Sequence, residues 1–96
     1  MIQLNKNIFN HDKLYTIGVE EEYMLCSTKT GELISKANEF MGSLNSNEKD
    51  RFTYELILSE IEANTPICSS VEDAVTQVLK LRNRAKHICE NIGCEI

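Results

Sequence analysis

The sequence predicts an α+β fold, a sheet covered on one side by helices. Three observations lead there: apolar alternation over residues 15–25, a second such run over 51–64, and an apolar stripe at helical spacing over 71–92. In the first run Tyr15, Ile17, Val19, Tyr23 and Leu25 share a face interrupted by Glu21, while Gly18, Glu20 and Glu22 occupy the other, as in a half-buried strand. Residues 27–32 supply turn chemistry, with hydroxyls for local hydrogen bonds and Gly31 able to take positive φ; Leu33 and Ile34 read as a short hairpin partner. Ala37, Phe40, Met41 and Leu44 predict a helix of about three turns starting near Ser35. In the run 51–64, Phe52, Tyr54, Leu56 and Leu58 lie on one face and Thr53, Glu55, Ile57, Ser59 and Ile61 on the other, so a single long strand is expected, partly buried on both sides. Thr65 and Pro66 end it, because proline offers no ladder donor. Ser69 and Glu72 then form a capping-box pattern ahead of a long helix over 70–91, ~33 Å in length, with Gly93 placed to end it. Cys94, Glu95 and Ile96 read as the opening of another strand.

With no repeat, Ser/Gly linker or charge block, the 96 residues read as a single unit, with a leader over 1–13 and a folded part over 14–96. At 42% hydrophobic and 26% charged with one proline, the composition is that of a globular domain and not of a disordered tail. Ten Lys and Arg against 15 Asp and Glu leave a net charge of −5, without the clustered cations that phosphate backbones require, so nucleic acid is not an expected partner. An acidic surface points instead to metal ions. No stretch approaches the ~20 apolar residues of a membrane span, and the first residues lack the apolar core of a secretory signal, so a cytoplasmic location is expected. Cys26, Cys68, Cys89 and Cys94 form no C-x-x-C pair and stand at no zinc-like spacing from His11 or His87; reduced, mostly buried thiols are the simplest reading.

Four glutamates carry the chemical interest. Glu20 and Glu22, two apart on a strand, project from one face about 7 Å apart, close enough to repel and to be relieved by a hard divalent cation. A solvated charge run is the plain alternative. Glu60 and Glu62 form a second same-face pair, and if the two strands pair, four carboxylates lie within a few strand spacings; a charged, aggregation-resistant sheet edge is the alternative there. Glu55 has the opposite parity from Glu62, so both face one site only if a bulge or bend intervenes.

The order of Thr16-Ile17-Gly18-Val19-Glu20-Glu21-Glu22-Tyr23, Thr30-Gly31-Glu32-Leu33, Glu55-Leu56 with Ser59, Ile61-Glu62-Ala63-Asn64-Thr65-Pro66 and Leu79-Lys80-Leu81-Arg82 resembles the amino-terminal portion of the glutamate-cysteine ligase family, in its second, bacterial carboxylate-amine ligase type. The resemblance implies part of a glutamine-synthetase-like antiparallel sheet backed by helices. It further implies a reaction in which ATP and Mg²⁺ phosphorylate the glutamate γ-carboxylate and an amine, such as that of cysteine, displaces the phosphate. Carried across, Glu20 and Glu22 of G-x-E-x-E and Glu62 of E-x-N-T are the implied Mg²⁺-ATP ligands, with Glu55 a further cofactor-binding candidate. Leu58 and Glu60 depart from the glutamines often found in relatives, and Cys26-Ser27 from the usual aspartate near the first turn. Because the rest of such an active site is expected beyond Ile96, the 96 residues alone are expected to be inactive, and exposed sheet edges are expected to favour a homo-oligomer. The alternative is a non-catalytic domain that self-associates.

Overall fold

The computed structural model describes residues 2–6 and 15–96. Strands β1 (Ile2–Lys6), β2 (Tyr15–Met24), β3 (Phe52–Tyr54) and β4 (Glu60–Asn64) form an antiparallel sheet in the order β1-β2-β4-β3, accompanied by helices α1 (Ala37–Gly42) and α2 (Val71–Ile92). The α+β class follows the sequence reading. β1 falls within the expected leader, where the sequence suggested no strand; residues 7–13 of that leader lie outside the described residues. β2 is the spine of the sheet: Tyr15–Val19 pair with β1, and Glu20–Met24 pair with β4.

The expected single strand over 51–64 is instead a hairpin. β3 and β4 pair antiparallel around residues 55–59, with Thr53 opposite Glu62. The turn is fixed from outside: Leu25 N–H donates to the Ser59 carbonyl at 2.7 Å, and Ala37 N–H donates to the Leu58 carbonyl at 2.9 Å. Leu56, Ile57 and Leu58, which completed the apparent alternation, are exposed in that turn. An apolar residue at every position satisfies any period, so alternation carried no register there.

The first helix is shorter than three turns for a related reason. The Ala37 amide is occupied by Leu58, so the helix cannot start earlier, and the bonds from Ser43 to Phe40 and from Leu44 to Met41 tighten and end it. The long helix starts one residue later than its expected cap: Ser70, in extended conformation, accepts from the Asp73 amide at 3.0 Å, whereas Ser69 and Glu72 do not form the box. At the other end Gly93 takes φ 81°, the Cys94 amide reaches the Cys89 carbonyl at 2.9 Å, and Lys36 Nζ donates to the Ile92 carbonyl at 2.8 Å. The cysteines are free, with Cys68, Cys89 and Cys94 buried.

The helices cover one face of the sheet, where Tyr23, Leu25, Phe40, Phe52, Ile61 and Ile88 form the core. Phe40 and Phe52 meet edge to face with centroids 5.3 Å apart. Of the strand opening expected at residues 94–96 the structure has a single bridge: Cys26 and Glu95 exchange backbone hydrogen bonds of 2.7 and 2.9 Å, and Cys26 also bridges Leu33.

An added Cβ at Gly93 meets no atom within 4 Å, so Gly93→Ala tests left-handed backbone strain alone. A loss of about 1 kcal/mol is expected, read as a melting temperature lower by about 4–8 °C, while Gly18→Ala, equally unobstructed but at no positive φ, leaves melting nearly unchanged.

Candidate metal centre

Antiparallel register brings the acidic residues together. β2 and β4 place Glu22 directly opposite Glu62 and Glu20 opposite Asn64, while Tyr23 and Ile61, one residue along each strand, enter the core. Because side chains alternate between faces, burying Tyr23 and Ile61 puts Glu20, Glu22 and Glu62 on the face away from the helices. The pairing extends past β4: Thr65 N–H donates to the Val19 carbonyl at 3.0 Å and the Thr65 hydroxyl accepts from the Val19 amide at 3.0 Å. After Pro66, Cys68 rejoins β2 through reciprocal bonds with Ile17 of 2.8 and 2.7 Å. The Asn-Thr-Pro stretch therefore has a structural role, clamping the strand that carries Glu20 and Glu22.

The hairpin removes the parity objection to Glu55. With Thr53 facing Glu62 across the β3–β4 pair, odd positions leaving β3 share a face with even positions of β4. Glu22, Glu55 and Glu62 each offer a carboxylate oxygen within 4.8 Å of the others. Glu20, expected among the ligands, lies one pleat along, opposite Asn64, and is not one of these three; Glu60 is opposite Met24 and also stands outside the group.

Glu21, the charge that interrupted the apolar face of β2, is bound from the helix side. Arg82 of α2 grips it with two bonds, Nε to Oε1 at 2.9 Å and Nη2 to Oε2 at 2.6 Å, which holds the Glu21 carboxyl below the usual range. Tyr23 projects on the same face, and its buried hydroxyl, which burial pushes up, has no hydrogen-bond partner. The sequence offered no sign of the Arg82 pair beyond a basic residue in the helix's apolar stripe.

The three clustered carboxylates repel, and the effect concentrates on Glu62. Its contact with the Glu55 carboxyl, then partial burial, then the charges of Glu20, Glu55 and Glu22 push it up to about 7. Glu55 Oε1 is buried without a hydrogen-bond partner. A hard divalent cation answers both features: oxygens at about 2.1 Å from Mg²⁺ or about 2.4 Å from Ca²⁺ lie at most about 4.2–4.8 Å apart across the ion. The donor set, all carboxylate oxygen, excludes a thiolate or imidazole metal site at this position. Glu62 holds its proton more tightly folded than unfolded, so the native state binds more protons between about pH 4.5 and about pH 7, and stability falls as pH rises through that window. Thermal melts of the cation-free protein should therefore decline from about pH 5 to about pH 7.5. Glu62→Gln should flatten that decline, and a wild-type melting temperature that rises through the window would refute the clustering.

Comparison with known proteins follows the same motifs. The pattern of glutamate-cysteine ligase family 2 (GCS2) matches residues 16–96. The chain is 40% identical over 70 residues to "Putative glutamate--cysteine ligase 2-1" of Rubrobacter xylanophilus, covering 73% of this chain and 19% of that relative. It is 36% identical over 74 residues to "Putative glutamate--cysteine ligase 2" of Rhodopirellula baltica, covering 69% and 20%. A third relative, "Putative glutamate--cysteine ligase 2-2" of Paenarthrobacter aurescens, is 30% identical over 89 residues, covering 84% and 23%. The chain thus spans about a fifth of the length of the curated relatives it matches. No solved structure matches it. With the family pattern running unbroken from the first residues of β2 to Ile96, the chain belongs to glutamate-cysteine ligase family 2.

Proposed function

We propose that this chain supplies a Mg²⁺-ATP-binding part of a carboxylate-amine ligase of the glutamate-cysteine type, one that joins a carboxylate to an amine through an acyl phosphate. The observation that carries this reading is the grouping of Glu22, Glu55 and Glu62 around the unpartnered Glu55 Oε1, in a chain of this family.

The reading follows from charge. Acyl phosphate formation sets one anion, the substrate carboxylate, against another, the terminal phosphate of ATP. When bound, Mg²⁺ supplies the positive charge that offsets that accumulation. Glu22 and Glu62 would hold it from adjacent strands, placed by backbone pairing, and Glu55 from the first residue past β3, at the start of the turn. Glu20 shares their face and adds to the negative field that draws a cation. Deprotonation of Glu62 accompanies cation binding, so affinity should rise with pH through about 7. Arg82 is engaged with Glu21 behind the sheet and does not face this group of carboxylates. Phosphate positioning and turnover therefore call on other parts of the family's fold, and the 96 residues alone should bind Mg²⁺-ATP weakly without turning it over.

Calorimetric titration with Mg²⁺, or with Mn²⁺ as a spectroscopic substitute, tests the site. Glu55→Gln and Glu62→Gln should each weaken cation binding about tenfold or more, whereas Glu60→Gln should leave it within about twofold. Equal cation affinity in wild type and a Glu22, Glu55, Glu62 triple Gln variant would reject the assignment. Nucleotide binding that persists undiminished when the cation is chelated would reject the Mg²⁺-ATP reading while leaving the cation site standing.

A further inference from the structure

The amino-terminal half of α2 presents a feature that the metal centre does not use. Of its apolar stripe only Ala74 is buried in that half, while Val71, Val75 and Leu79 are 63%, 52% and 47% exposed. With Ile17 and Val19 of β2 these side chains line an open groove of about 520 Å³. The cause is topological. β4 supports β2 only from Glu20 to Met24, and the core beneath α2 is built under its carboxyl-terminal half, around Ala85, Ile88 and Cys89. Among the described residues, the other half covers a small cluster of Ile17, Cys68 and Ala74, with Val19 against it.

We infer that this groove is the seat of an apolar segment belonging to the remaining four fifths of the family's fold, whether that segment is joined to this polypeptide or comes as a separate one. Two observations select this occupant over a second copy. The groove's few apolar side chains fall far short of the roughly 20–30 residues per side in a stable interface between two copies. The other exposed apolar residues lie elsewhere, with Leu56, Ile57 and Leu58 in the β3–β4 turn, and Leu33 and Ile67 in separate loops. Patches spread over separate segments suit enclosure by a larger surrounding chain better than one twofold contact. Relatives about four times as long provide such a chain. This inference rests on family membership and on the groove, and it stands or falls independently of the cation site.

The test is the reactivity of a cysteine placed at Val75. In the isolated 96 residues, Val75→Cys should react rapidly with a maleimide, read by peptide mass spectrometry to separate it from the native thiols. When residues 16–96 carrying the same change replace the matching segment of the full-length Rubrobacter xylanophilus relative, labelling should slow by about tenfold or more. A cysteine at the aligned position of that relative itself gives the same reading should the hybrid fail to fold. Equally fast labelling in the isolated and the full-length settings would overturn the proposal. Protection that grows with concentration in the isolated chain would assign the groove to a second copy and overturn it as well. A Leu56→Cys control should label rapidly in the isolated chain, confirming that exposure alone gives fast reaction.

Discussion

The antiparallel pairing of β2 with β4 sets nearly everything else in this structure. Opposing Glu22 to Glu62 sends Tyr23 and Ile61 into the core and leaves the carboxylates on the open face; a slip of one residue would exchange the two sets. The core and the candidate metal centre are therefore two faces of one register, and neither can be built without the other. Several bonds outside the strands protect that register. Thr65 holds Val19 through both its amide and its hydroxyl, Cys68 and Ile17 exchange bonds beyond Pro66, and Arg82 fixes Glu21 from the helix side.

Carboxylates gathered without a counter-ion oppose folding, and the elevated Glu62 shows where that opposition is felt. In a domain whose total stability is of the order of 5–15 kcal/mol, such a grouping is hard to explain as surface chemistry for its own sake. In the proposed site, oxygen ligands that repel one another would lose that repulsion on binding a cation.

The opposite face tells of incompleteness of a different kind. α2 extends past the region that β4 supports, and its first turns carry valines and a leucine over a thin cluster. A helix with apolar residues on more than one side is normally enclosed on more than one side. Taken with the length of the relatives, this surface fits a part of a larger fold that covers it.

The sequence by itself determined β2, the long helix and its Gly93 terminus, because these depend on local periodicity and on one backbone angle that only glycine takes easily. It also marked Glu20, Glu22, Glu55 and Glu62 as the residues worth attention. It misjudged 51–64, since an apolar residue at each of positions 56 to 58 fits a strand and a turn alike, and the choice was made by distant groups, Leu25 and Ala37, whose amides bind the carbonyls of Ser59 and Leu58. Only the tertiary structure decided that Glu55 joins Glu22 and Glu62 while Glu20 sits one pleat away. Strand parity is local, but which parities meet depends on how two strands align, and that alignment is fixed by burial of side chains far apart in the chain.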